Sequence, residues 1–142
     1  MTMQQLTDFA SNNIVLFAAL IVILLLLART WIMPRNAKPL SPMDAVRTAS
    51  HDDALVLDLR SENEYQGGHI INSVNIPLGF LESRISEIQK YKSSPVILVC
   101  QSGNRSLQAA NTLKKQAFEN IYNMSGGILA WKNANLPLES SS

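Results

Sequence analysis

The sequence predicts an α/β domain with a central, mostly parallel sheet flanked by helices, preceded by one N-terminal transmembrane helix. Three observations carry this. From residue 40 onward, short apolar runs suited to buried strands alternate with helical patterns. Residues 14–28, IVLFAALIVILLLLA, contain no polar side chain. The chain has 142 residues, room for one ordinary domain plus a tail. Lys and Arg number 12 against 11 Asp and Glu, a net charge of +1, so no basic surface for nucleic acid is implied. With 46% apolar and 16% charged residues, a disordered chain is excluded.

Residues 1–11 read as a short N-terminal tail. The apolar run alone makes ~22 Å of helix at about 1.5 Å per residue. Extension through Arg29, Thr30, Trp31, Ile32 and Met33 gives 20 residues, enough for a hydrocarbon core, and places the transmembrane helix at residues 12–33. Arg29 can snorkel and Trp31 suits the interfacial belt, while Pro34 blocks continuation. A cleaved signal peptide would need a basic start, but residues 1–13 hold only Asp8. A buried core helix would show a polar stripe. Arg29, Arg35 and Lys38 follow the apolar run, so the positive-inside rule places the C-terminal side in the cytoplasm and the N-terminus outside. Residues 34–39 read as a linker.

The domain is assigned to residues 40–138. Its acids and bases nearly balance, and no internal repeat is visible. Ser41, Pro42 and Asp44 start a helix as N-cap, first-turn proline and first-turn acid. Residues 54–59, ALVLDL, suit a buried strand. Residues 62–66 read as a short helix stopped by Gly67 and Gly68. Residues 74–76 are a short strand, and 80–90 a helix with Phe80, Leu81, Ile85 and Ile88 on one face. Residues 95–99, PVILV, are a second buried strand; 105–116 a helix; 121–123 a strand; 127–133 a closing helix, followed by a polar tail at 139–142.

Cys100 is the single cysteine, so the chain forms no internal disulfide, which suits a reducing compartment. A buried inert thiol is the bland alternative. The context is strand, then Gln101-Ser102-Gly103-Asn104-Arg105, then helix. Ligands of open α/β sheets bind at the carboxyl ends of strands. Gly103 lets successive N–H groups converge on one point, and the following helix aims its positive end there. Arg105 adds a fixed cation with bidentate donors. The loop therefore favours a thiolate nucleophile and an anionic substrate group.

These residues resemble the rhodanese-like sulfurtransferases. Asp58-Leu59-Arg60, Glu64-Tyr65, Gly68-His69-Ile70 and Asn75-Ile76-Pro77 look like the family's first signature. Residues 100–106, CQSGNRS, look like its active-site loop. Residues 126–131, GGILAW, with Leu136-Pro137-Leu138, look like its C-terminal signature. The layout resembles bacterial membrane-anchored single-domain members. The resemblance implies that Cys100 takes a sulfane sulfur from a donor such as thiosulfate and passes it to a thiophilic acceptor, small or a protein thiol, through a persulfide. It implies that Gln101, Ser102, Gly103, Asn104, Arg105 and Ser106, with Arg60 nearby, stabilise that persulfide or bind the donor. It implies no metal or organic cofactor, and His51 and His69 have no metal-ligand spacing. A membrane-protein partner is left unspecified.

Two departures stand out. Ile71-Asn72-Ser73 replaces a frequent Pro-Gly-Ala, with Asn72 able to take a left-handed backbone. Ala117 stands where the family usually has Gly at a helix stop, at a cost of about 1 kcal/mol if the left-handed cap is kept. With one cation in the loop, thiosulfate is expected to be a poor donor. Asp58 and His69 are read as structural: Asp58 as the partner of Arg60, or else Arg60 faces the loop, and His69 as a hydrogen-bonder rather than a base. Trp131 is read as core, and Gly126-Gly127 as a turn. Two other functions remain. Phosphatases and arsenate reductases also use a Cys–loop–Arg, but with Cys-x5-Arg; the spacing here is Cys-x4-Arg. A non-catalytic module tethering a partner at the membrane is the third.

Overall fold

The computed structural model describes residues 1–32, 36–51 and 53–141. It divides into two compact units, Met1–Arg35 and Asn36–Ser142. Met33, Pro34 and Arg35, assigned to the helix end and its flank, lie outside the described residues, as does Ser142 of the tail.

The first unit holds two helices. α1 spans Met3–Asn12 and α2 spans Ile14–Ile32. The expected N-terminal tail is thus corrected to a helix. Thr2 and Gln5 form a reciprocal capping box: each backbone N–H donates to the other's side chain. Met3, Leu6, Phe9 and Ala10 share one face of α1. Asn13 separates the helices, its side-chain amide donating to the Phe9 carbonyl at 2.8 Å. α2 is long and apolar enough to cross a membrane, and the window Ile14–Trp31 buries nothing within the chain.

The second unit is built on five parallel strands: β1 Lys38–Leu40, β2 Leu55–Asp58, β3 Val74–Asn75, β4 Pro95–Val99 and β5 Asn120–Met124. Their order is β1-β5-β4-β2-β3. Three helices lie between strands, α3 Pro42–Ala49, α4 Glu62–Gln66 and α5 Asn104–Lys115, and α6 Gly127–Asn133 follows β5. The α/β fold class read from the sequence is the one observed.

Alternation along β4 explains its unbroken apolar run. Val96 and Leu98 enter a core with Leu57, Leu59, Leu113 and Phe118. Ile97 and Val99 enter a second core with Val56, Met124, Ile128 and Trp131. Both faces of the sheet are covered, so both sides of the strand are apolar.

Three boundaries differ from expectation. Lys38 and Pro39, read as linker, belong to edge strand β1, in register with Tyr122 and Asn123 of β5. A proline is tolerated there because an edge strand has one free side. Glu139, read as tail, exchanges backbone hydrogen bonds with His69 at 2.8 Å, and Ser141 N–H donates to the Gln66 carbonyl. The helix expected at 80–90 is replaced by 3₁₀ segments Leu78–Phe80 and Ile85–Tyr91. This stretch returns from β3 past β2 to β4, and a 3₁₀ path, rising ~2.0 Å per residue, reaches further than an α-helix of equal length. Leu81 and Ile88 are buried, whereas Phe80 is 60% exposed.

Candidate active site

The site begins where β4 ends. Val99 accepts a hydrogen bond from Leu59 N–H at 2.8 Å, which fixes the strand's last residue. Cys100 follows, 1% exposed. The chain then turns, and Gly103, at φ 104°, becomes the N-cap of α5. Only glycine takes that angle freely. The turn brings the Gly103 N–H onto Cys100 Sγ at 2.9 Å. The first turn of α5 therefore begins beside the sulfur, with its positive dipole end.

A second contact holds the loop from behind. Ile128 N–H donates to the Cys100 carbonyl at 2.8 Å, and Leu129 N–H to the Gln101 carbonyl at 3.3 Å. These come from the start of α6, where Gly126 and Gly127 have φ of 75° and 59°. A Cβ on Gly127 would collide with the Cys100 carbonyl oxygen and stand 2.7 Å from the Gln101 carbonyl carbon. The two glycines, read as a plain turn, thus allow α6 to touch the loop.

Arg105 sits in the first turn of α5 and makes a two-pronged ion pair with Glu64, both bonds at 2.9 Å. Glu64 also accepts from Ser61 N–H at 2.8 Å and from the Ser61 hydroxyl at 2.9 Å, closing the capping box of α4. The bonds from Arg105 pull the Glu64 carboxyl down to about 2, with the Ser61 bonds helping and burial opposing. Glu64 in turn holds the Arg105 guanidinium above its ordinary value, with a smaller electrostatic pull from Cys100 and Asp58. Sequence reading placed Glu64 in a signature but missed this pairing.

Arg60 is tied to Asp58 and to the turn that follows β2. It is 3% exposed, and its Nε and Nη2 bind Asp58 at 3.0 and 2.8 Å. Nη2 also donates to the Gly68 carbonyl at 2.7 Å and Nη1 to the Glu64 carbonyl at 3.2 Å. These bonds direct its donors to the turn and none to residues 100–106, which favours the ion-pair alternative for Arg60 over persulfide stabilisation. Asp58 and Arg60 are two apart and so lie on one side of the extended chain. Asp58 is equally buried. His69 Nδ1 lies 2.8 Å from the Tyr65 carbonyl oxygen, and the ring stacks on Tyr65 at 3.8 Å. Trp131 Nε1 donates to the Pro137 carbonyl at 3.0 Å.

Around the sulfur, Gln101 is half-buried and Ser102 and Asn104 are exposed. Ser106 is fully buried, and its hydroxyl has no hydrogen-bond partner among the described residues. Among those residues no group of three His, Cys, Asp or Glu side chains could hold a metal. The arrangement offers one sulfur nucleophile, one aligned N–H donor, a helix start and a cation shared with a carboxylate.

Comparison with known proteins agrees with this geometry. The model of the rhodanese-like domain matches residues 42–134. The uncharacterized protein YibN of Escherichia coli is 31% identical over 139 residues, covering 96% of this chain and 97% of that protein. A sulfurtransferase of Allochromatium vinosum is 36% identical over 92 residues, 65% of this chain and 84% of that protein. The crystal structure of a rhodanese-related protein from Thermoplasma volcanium superposes with a TM-score of 0.63 at 27% identity, covering 73% of this chain and 99% of that one. The three sequence signatures and the sheet order meet in one assignment: the chain belongs to the rhodanese-like domain family.

Proposed function

We propose that this protein is a sulfurtransferase anchored in the inner membrane by α2, with its rhodanese-like domain in the cytoplasm. Cys100 is the nucleophile. Its thiolate attacks the outer sulfur of a sulfane donor; the bond to that sulfur forms as the donor's own S–S bond breaks, and the rest of the donor leaves with the electron pair. The sulfur stays as a Cys100 persulfide until a thiophilic acceptor, small or a protein thiol, removes it. Gly103 N–H and the first turn of α5, from Asn104 to Ser106, stabilise the charge on sulfur, with Gln101 and Ser102 shaping the loop.

The observation that carries this is the 2.9 Å hydrogen bond from Gly103 N–H to Cys100 Sγ. A donor aimed at the sulfur does nothing for an inert core thiol. It is placed to stabilise the negative charge that the sulfur carries during transfer.

The test is intact-mass spectrometry of the full chain in detergent after incubation with sulfur donors. The expected result is a gain of about 32 Da, one sulfur covalently held, on the native chain and none on Cys100→Ser. Hydrolysis of an aryl phosphate that depends on Cys100, with no added sulfur from any donor, would replace this reading with phosphoryl chemistry. Anchoring is tested separately: the chain should stay with membranes through a carbonate wash, and a C-terminal reporter should be active only in the cytoplasm. The orientation rests on Arg29, Arg35 and Lys38 following the apolar run.

A further inference from the structure

We infer that Glu64 sets the charge of the sulfur donor this site accepts, and selects donors carrying at most one negative charge, such as an alkyl persulfide or an alkanethiosulfonate, over the thiosulfate dianion. The inference rests on the sulfurtransferase reading above and narrows it to a substrate class.

The argument begins with charge. The loop sequence carries one cation, Arg105. Both of its outer nitrogens are engaged by the Glu64 carboxylate at 2.9 Å. A second arginine close by, Arg60, is equally committed, to Asp58. Each pair is neutral, so a thiolate at Cys100 leaves the site with a net negative charge. A dianion approaching it meets repulsion without a free guanidinium to offset it. A donor with one charge or none meets less.

Arg105 could be released only by breaking two charge-assisted bonds, and these are the strong kind. Glu64 is itself held by the N–H and hydroxyl of Ser61, so the carboxylate cannot simply swing aside. The pair is about one-third exposed on each side, at 34% and 36%, so an arriving donor can reach it. Glu64 is therefore a positioning and specificity residue that acts through Arg105. It is not a catalytic one.

Two donors with the same chemistry and different charge separate this role from a structural one. With thiosulfate, Cys100 thiolate takes the outer sulfur and sulfite leaves with the electron pair. With methanethiosulfonate, it takes the outer sulfur and methanesulfinate leaves. The native chain should give a higher kcat/KM with the monoanion. Glu64→Gln keeps the side-chain length and an N3 residue that can still complete a capping box, but removes the charge. It should raise the thiosulfate-to-methanethiosulfonate ratio about tenfold, chiefly through a lower KM for thiosulfate, because freed attraction of that size is one decade in affinity. The gain should shrink as salt is added.

A native preference for thiosulfate would overturn the inference without any variant. So would a Glu64→Gln protein that transfers sulfur with an unchanged ratio, or that loses both donors equally, since a purely structural role moves both together. If the native chain gains no sulfur from either donor, the sulfurtransferase reading itself fails, and this inference with it.

Discussion

The backbone N–H of Ile128 donates to the carbonyl of Cys100 at 2.8 Å, joining the start of α6 directly to the residue that ends β4. The loop between β4 and α5 is thus held at its first residue by a different helix from the one it starts. The backbone of Cys100 is fixed by α6, and its sulfur by the Gly103 N–H. The first of these contacts depends on the left-handed backbone of Gly126 and Gly127, which brings α6 against the Cys100 carbonyl.

Gly127→Ala should therefore damage the site and the fold together. The new methyl group would meet the carbonyls of Cys100 and Gln101, which are backbone atoms and cannot rotate away. Strain at φ 59° adds to the clash. The expected loss is more than about 2 kcal/mol of stability, read as a lower thermal midpoint of the domain, together with slower sulfur uptake. A midpoint equal to that of the native chain would show that α6 is free to retreat from the loop.

Truncation tests the true start of the domain. Ala37 is 5% exposed in the core, and Leu40 accepts from Ser125 N–H at 2.8 Å. A chain beginning at Asn36 should fold and stay in solution without detergent. A chain beginning at Ser41 loses β1 and uncovers the edge of β5, an invitation to pairing between molecules. It should unfold at a lower temperature and aggregate, as read by light scattering. Equal behaviour of the two would make β1 dispensable.

What could be read from sequence, and what could not, follows from the range of each interaction. β2 and β4 were legible because burial on both faces leaves an apolar run. The loop from Cys100 to Arg105 was legible because a strand, a glycine and a helix start are all local. β1 was not, since Lys38-Pro39-Leu40 becomes a strand only through pairing with β5, far along the chain. The Glu64–Arg105 pair spans 41 positions, so no spacing rule could find it. The Thr2–Gln5 capping box of α1 is a local signal that the adjoining long apolar run overshadows. At residues 80–90 the periodicity found the buried Leu81 and Ile88 but also placed the exposed Phe80 inward, because helical spacing was assumed where the chain is wound as 3₁₀ segments.

The Glu64–Arg105 pair should also appear in the acid stability of the domain. The Glu64 carboxyl sits at about 2 in the folded chain against an ordinary value of 4.5. A depressed carboxyl stabilises the fold at pH above its unfolded value, and that contribution is lost as pH falls through the folded one. The difference in stability between the native chain and Glu64→Gln should thus be constant above about pH 5 and shrink between about 4.5 and about 2. Because the pair is partly exposed, water screens it and added salt should reduce the difference. Denaturant midpoints across that range check this; a constant difference down to pH 2 would mean the ion pair contributes nothing.

Ala117 offers the most direct way to stabilise the domain. α5 ends at Lys115, and Ala117 has φ 65°, the left-handed region where an alanine Cβ is crowded. The conformation persists because the stop motif around it is complete. Phe118 N–H donates to the Leu113 carbonyl and Ala117 N–H to the Lys114 carbonyl, a Schellman arrangement. Phe118 and Leu113 are both buried in the same core cluster, so packing holds the turn against the strain. Ala117→Gly removes the Cβ and leaves every bond in place. It should gain about 0.5–1 kcal/mol, the left-handed strain of roughly 1–2 kcal/mol less the roughly 0.4–1 kcal/mol that glycine costs through the unfolded chain, raising the thermal midpoint by a few degrees for a domain near 100 residues. The same residue type has the opposite effect about two and a half turns earlier. Gln108 is exposed within α5, and Gln108→Gly should lose roughly 0.5–1 kcal/mol, because there glycine only adds chain entropy to the unfolded state. Sulfur transfer should be unchanged in Ala117→Gly, which lies at the far end of α5 from Cys100. Destabilisation by Ala117→Gly would mean that the left-handed cap carries no strain worth removing.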